Sequence, residues 1–242
     1  NDVLYFVAHR GKQDGLVEAR FRVTGKAPEI WRADETTIKP ASYRFEGDHT
    51  VVPLDMRAED SLFVVFRRDT AAPSRTVAPI STRLIAEVQG PWEVAFQPER
   101  GAPPRMTLTK LASLSEQAEP GIKYFSGVAT YTRTIDAPPS WKPGQSLLLD
   151  LGTIGDVAEV RVNGQLAGTA WQSPYRVDIG RFLERGPNLL DIRVANLWVN
   201  RLIGDQQPGA TRITTTGTPT YTADAPLRPS GLIGPVRLLG TK

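Results

Sequence analysis

Residues 147–205 read LLLDLGTIGDVAEVRVNGQLAGTAWQSPYRVDIGRFLERGPNLLDIRVANLWVNRLIGD, and their alternation decides the fold. Leu147, Leu149 and Leu151 alternate with Leu148 and Asp150. Ala158, Val160 and Val162 alternate with Glu159 and Arg161, and Leu190, Ile192 and Val194 with Asp191 and Arg193. Successive strand side chains point to opposite faces, so each run predicts a strand with one buried and one wetted face. Asn163-Gly164 tolerates the positive φ angles of a two-residue hairpin, so the chain is expected to reverse there. Gly186-Pro187-Asn188 punctuates the entry to the third strand.

The order of these parts resembles a known family. Val162-Asn163-Gly164, the aromatic loop with Trp171 and Pro174-Tyr175, the turn from Asp178-Ile179 to Leu183, and the run Gly186 through Asn196 follow one another. That succession resembles the galactose-binding-like jelly roll attached to many glycoside hydrolases, including the sugar-binding domain of family 2. The extension from Asn196 to Asp205, with Gly90-Pro91-Trp92-Glu93-Val94 and Gly121-Ile122-Lys123-Tyr124-Phe125-Ser126-Gly127 upstream, is similar to the carboxy-terminal part of glycoside hydrolase family 106, the α-L-rhamnosidases. The resemblance covers residues 84–240. It implies a bacterial protein exported to the periplasm or the medium, and a catalytic barrel preceding this region.

Working outward, 242 residues are natural for two domains, each able to bury a core. Twenty prolines and 21 glycines, with few long helical patterns, favour short strands and turns. The fold class is therefore all-β: two β-sandwich domains, the second a galactose-binding-like jelly roll. Residues 1–75 form the smaller sandwich, 76–83 a linker and 84–242 the jelly roll. In the first domain VLYFVAHR, GLVEARFRV, APEIWRAD, SYRFEGDHTVVPLDM and SLFVVFRR are short runs at sandwich spacing, separated by turn residues. DTAAPSRTVAP, residues 69–79, has the composition of a connection. The second domain opens as a strand interrupted at Gly90-Pro91, since Pro91 cannot donate to a ladder. A short helix or turn is expected around 111–117. Residues 235–239 are the obvious last strand, to pair with the first as a jelly roll requires. Residues 206–230, rich in Thr, Pro and Gly, are too long for an ordinary connection and must lie on a surface.

Several function classes fall away. The net charge of +3 is dispersed, which argues against nucleic acid. No apolar run approaches the roughly 20 residues that span a membrane, so membrane insertion is not expected. Absent cysteine removes thiolate chemistry and suits an exported or a cytosolic protein alike. The start at Asn1, directly before a strand pattern, reads as a fragment whose missing amino-terminal part holds the chemistry. Glycoside hydrolysis needs two carboxyl groups about 5–10 Å apart, and no catalytic pair stands out here. Asp14, Asp48, Asp156 and Glu184 fall near turns, Glu159 and Asp191 on outward strand positions, and Asp178 reads as a helix cap. His9 and His49 read as packing or surface residues. No cofactor is expected; a structural calcium suits such sandwiches, although no ligand set stands out.

What remains is recognition of carbohydrate. A sugar site combines an aromatic platform for C–H faces with Asn, Asp or Arg for hydroxyls. Trp171 and Tyr175 share one inter-strand loop, and Trp198, Asn200, Arg201 and Asp205 follow the end of another strand. If these loops meet, the six residues form one carbohydrate-binding rim. The alternative is that Trp171 and Trp198 plug the end of the core and Arg201–Asp205 is a surface ion pair. Trp92, Tyr131 and Phe182 read as packing. Three functions stay open: a non-catalytic accessory region of an α-L-rhamnosidase, an autonomous carbohydrate-binding module, and a structural domain without a ligand.

Overall fold

Alternation converts into sheets throughout a computed structural model that describes residues 2–33, 37–216 and 220–241. The chain divides into two units, Asn1–Pro79 and Ile80–Lys242.

In the first unit the strands are β1 (Val3–Ala8), β2 (Gly15–Phe21), β3 (Lys26–Arg32), β4 (Thr37–Pro40), β5 (Tyr43–Glu46), β6 (His49–Met56), β7 (Ser61–Asp69) and β8 (Ser74–Arg75). They form two antiparallel sheets, ordered β1-β7-β3-β4 and β2-β6-β5-β8. Phe21, Val52, Leu54 and Met56 from one sheet meet Leu62, Val64 and Phe66 from the other, so the unit is a sandwich. The stretch 69–79 differs from a free connection. Tyr43 donates its hydroxyl to the Ala72 carbonyl, Arg75 lies over the Tyr43 ring, and the Val77 amide donates to Ser42 Oγ. Small and Pro-rich composition marks an irregular path here, but side chains of the first unit tie it down. Thr82 and Arg83, placed in the linker by sequence, already belong to the next strand.

That strand is β9 (Thr82–Glu87), followed by β10 (Trp92–Phe96), β11 (Arg105–Leu108), α1 (Pro120–Lys123), β12 (Gly127–Asp136), β13 (Leu147–Asp150), β14 (Thr153–Ile154), β15 (Val157–Val162), β16 (Gln165–Ala170), β17 (Arg176–Asp178), β18 (Pro187–Asn196), α2 (Val199–Gly204), β19 (Leu232–Gly234) and β20 (Arg237–Thr241). A six-stranded sheet, β11-β10-β12-β18-β15-β16, and a four-stranded sheet, β17-β13-β20-β9, supply a common core, and β14-β19 makes a short ribbon. Gly90-Pro91 lies where the chain passes from β9 in one sheet to β10 in the other, so the missing proline donor falls between ladders. The last strand pairs with the first, as expected. A single 3₁₀ turn, Leu114–Glu116, occupies the expected short helix.

The three alternating runs become β13, β15 and β18, the last two adjacent in the larger sheet. On β18 the inward positions read Asn188, Leu190, Ile192, Val194 and Asn196. The three aliphatic side chains are fully buried, each stabilising the fold by about 1.5–3 kcal/mol. An asparagine closes each end of that face. Asn196 donates to the Gly127 carbonyl and accepts from the Gly231 amide, satisfying loop backbone where the ladder stops. Trp92 and Tyr131 are buried as read from their strands.

Asn163 and Gly164 take φ angles of 51° and 79° between paired Val162 and Gln165, the geometry of a type I′ turn. Nothing lies within 4 Å of a Cβ added at Gly164, so a substitution there tests mainly backbone strain. Gly164→Val should lower stability by about 1–2 kcal/mol, read from the urea midpoint. An unchanged midpoint would mean that the turn relaxes to another type.

Candidate functional site

The four-residue cluster predicted after β18 folds as α2 and its two caps, Trp198 before and Asp205 after. Its side chains leave the helix in several directions, and residues of the 206–216 and 220–230 stretches cover Asn200, Arg201 and Asp205. Asn200 donates to the Arg228 carbonyl and accepts from the Arg228 amide. Asp205 accepts from Arg201 Nε (2.9 Å), the amides of Ile213 (3.2 Å) and Thr214 (2.8 Å), and the Thr214 hydroxyl (2.5 Å). Gln207 Nε2 donates to the Ala223 carbonyl. The helix thus fastens the long segment at both ends. Asn200, Arg201 and Asp205 are buried as a result, and the surface ion pair offered by the sequence is a buried one.

Burial works to raise the Asp205 carboxyl, but the Thr214 hydroxyl, the Thr214 and Ile213 amides and the Arg201 charge outweigh it and hold the group below the usual carboxylate range.

The tryptophans behave in the opposite way. Trp171 is 50% and Trp198 42% exposed, so neither plugs the core. Trp198 lies against the Arg100 guanidinium, 4.7 Å from the ring centre, on the β10–β11 hairpin. Trp171 follows β16 at the far edge of the same sheet, four strand positions from β10, which is about 19 Å at the usual spacing. Tyr175 packs on the core, and its carbonyl accepts from the Leu151 amide. The structure therefore gathers Trp198, Asn200, Arg201 and Asp205 around one helix and leaves Trp171 and Tyr175 on another part of the sandwich end.

Beside α2 is an open cleft of about 700 Å³, lined by Glu99, Gly101, Pro120, Gly121, Tyr124, Gly204 and the 207–213 segment. Arg201 alone of the six predicted residues lines it. Glycines make the room. A Cβ on Gly121 would sit 2.1 Å from the Gly101 carbonyl oxygen, and one on Gly204 would sit 2.5 Å from Arg201 Nη2 and from Tyr124 Cβ. In the sequence, Gly121 through Gly127 carry a family resemblance but no role for Tyr124 or for these glycines. The signal was the glycine spacing, which marks a close approach without saying to what.

Among the described residues no arrangement matches glycosidase acid–base chemistry. Glu159 is held below the usual range by the Arg161 hydrogen bond and Arg193, against desolvation, whereas a general acid needs a raised pKa. Asp150 pairs with Arg176, Asp191 accepts from Thr132, and Asp178 accepts from the Gly180 and Leu147 amides, although Ile179 and not Asp178 takes the cap position of the 3₁₀ turn Gly180–Phe182. Among the described residues no three His, Cys, Asp or Glu side chains gather to hold a metal ion, and no helix is long and apolar enough to cross a membrane.

Residues 117–225 match the family model described as glycosyl hydrolase 2 galactose-binding domain-like. The second unit is a galactose-binding-like domain. The matched span takes in α2 and most of the segment that α2 fastens. Beyond this domain, the structure of a rhamnosidase from Novosphingobium sp. PP1Y is similar over 99% of the chain, with 51% identity and a TM-score of 0.92. A Formosa agariphila protein carrying a provisional beta-glucuronidase name is 40% identical over 209 residues, which cover 76% of this chain. The chain spans 23% of that rhamnosidase and 18% of the Formosa agariphila protein. The galactose-binding-like domain and the sandwich before it therefore correspond to a fraction of larger glycoside hydrolases.

Proposed function

We propose that this chain is the non-catalytic accessory region of an α-L-rhamnosidase of the periplasm or the medium, packed on a catalytic domain of the same protein and contributing to carbohydrate binding. The observation that carries this reading is the 51% identity to the Novosphingobium rhamnosidase, sustained over both units at a TM-score of 0.92. Such similarity along 99% of the chain, within 23% of that protein, fits a shared region of a longer enzyme. The site chemistry supports the non-catalytic part. At the site, the Thr214 and Ile213 hydrogen bonds and the Arg201 charge hold the Asp205 carboxyl below the usual range against burial, which suits a fixed anion rather than a proton donor.

The 242-residue chain, incubated with an aryl α-L-rhamnoside, should release aglycone no faster than a heat-denatured sample, whereas a longer protein containing it should turn the substrate over. Hydrolysis by the chain alone would refute the non-catalytic assignment. A longer protein that cleaves other aryl glycosides but not rhamnosides would refute the substrate.

A further inference from the structure

Arg201 carries more donors than its fold uses. Its side chain is 6% exposed, and Nε is spent on Asp205 Oδ1 at 2.9 Å. A guanidinium has five N–H donors in a rigid fork, and neither Nη1 nor Nη2 donates to any described residue. Both terminal nitrogens lie where glycines leave space. A Cβ built on Gly101 would be 3.2 Å from Nη1, and one built on Gly204 2.5 Å from Nη2. The open side is the cleft of about 700 Å³, within the usual 300–1,000 Å³ range of small-molecule sites. A charged fork with unspent donors facing such a cleft is poised for acceptor oxygens, since its planar N–H groups match paired acceptors.

The surroundings select among acceptors. Asp205 already offsets the Arg201 charge, and exposed Glu99 on the rim adds a negative one. An anion would meet an already neutralised cation and a like charge. A neutral polyol fits better: vicinal hydroxyls accept from the two Nη groups and donate to the Glu99 carboxylate. Gln207 commits Nε2 to the Ile203 and Ala223 carbonyls, which leaves Oε1 as a further acceptor. Tyr124, Pro120 and Ile213 offer apolar surface for C–H faces.

We propose that this cleft is a saccharide-binding site, in which Nη1 and Nη2 of Arg201 hold two adjacent hydroxyl oxygens of a neutral sugar. Its choice of a sugar over other polyols rests on the glycoside hydrolase reading above; the cleft and the fork do not. Asn200 and Asp205 then act as positioning residues, and Trp171 and Tyr175 take no part.

Calorimetric titration of the 242-residue chain with methyl α-L-rhamnopyranoside, galactose and glucuronate tests this. Saturable binding of a neutral sugar is expected. Arg201→Lys keeps a cation for Asp205 but loses the fork, and Ala210→Trp places bulk on the exposed cleft wall without touching Arg201; each should weaken binding at least tenfold. Should Arg201→Lys fail to fold, Ala210→Trp decides. Absence of binding, binding that both folded variants retain, or binding of glucuronate alone overturns the proposal. A chain that binds no sugar, found in a longer protein that still cleaves rhamnosides, sinks this inference and spares the assignment to a rhamnosidase's non-catalytic region. Sugar binding in a protein without any glycosidase activity does the reverse.

Discussion

Asp205→Asn is expected to destabilise the second unit by about 3–5 kcal/mol, the usual cost of removing one partner from a buried ion pair. The Asp205 side chain is 1% and that of Arg201 6% exposed, so water cannot replace the lost charge. An amide also turns one acceptor oxygen into a donor, facing the Arg201 Nε–H or the amides of Ile213 and Thr214. The pH dependence follows in sign from the depressed folded-state pKa, which burial opposes and the Thr214 and Ile213 hydrogen bonds with the Arg201 charge produce. A group held below its unfolded value of 3.8 stabilises the fold fully above that value. The contribution is lost as pH falls through the folded-state pKa. Urea unfolding should therefore show the gap between wild type and Asp205→Asn constant near neutral pH and closing below about pH 4. A variant within 1 kcal/mol of wild type at neutral pH would mean that the 206–230 segment does not depend on this clamp.

The sandwich was legible because period-two alternation is a local property. Leu190, Ile192 and Val194 face one core whatever pairs with β18, and Asn163-Gly164 forces a reversal wherever it stands. The helix after Asn196 was not legible. It has six residues, and Asn200, Arg201, Ile203 and Gly204 are all buried, so no polar face betrays a 3.6-residue period. Burial there is created from outside, by Ile213, Thr214, Arg228 and Ser230. A charged pair four residues apart looks the same in sequence whether a later loop covers it or water does. Exposure of Trp171 and Trp198 was hidden for the matching reason. An aromatic residue beyond a strand end is buried or open according to loops that alternation does not describe. The cleft was least legible, since Gly101, Gly121 and Gly204 matter for what they let approach, and those partners lie up to about a hundred positions away.

Asn188→Ala should cost about 3 kcal/mol, because the side chain carries four hydrogen bonds at a site 1% exposed. Nδ2 donates to the carbonyls of Glu184 (2.9 Å) and Gly186 (2.8 Å), and Oδ1 accepts from the Glu184 amide (2.7 Å) and Asn163 Nδ2 (2.9 Å). Truncation strands these partners without supplying donors or acceptors, and leaving buried polar groups unpaired costs more than the bonds themselves contribute. The Asn163 bond ties Val162-Asn163-Gly164 to Gly186-Pro187-Asn188. Asn163 Oδ1 accepts from the Leu189 amide and Nδ2 donates to the Phe182 carbonyl, so one asparagine closes the hairpin while the other closes the turn into β18. Asn163→Ala should lose less, about 1–2 kcal/mol, since its surroundings are only partly buried. The two changes share a bond and should not add: a double-mutant cycle in urea should return a coupling of about 1 kcal/mol. Strict additivity would show that the hairpin and the β18 turn form independently, each motif serving only its own loop.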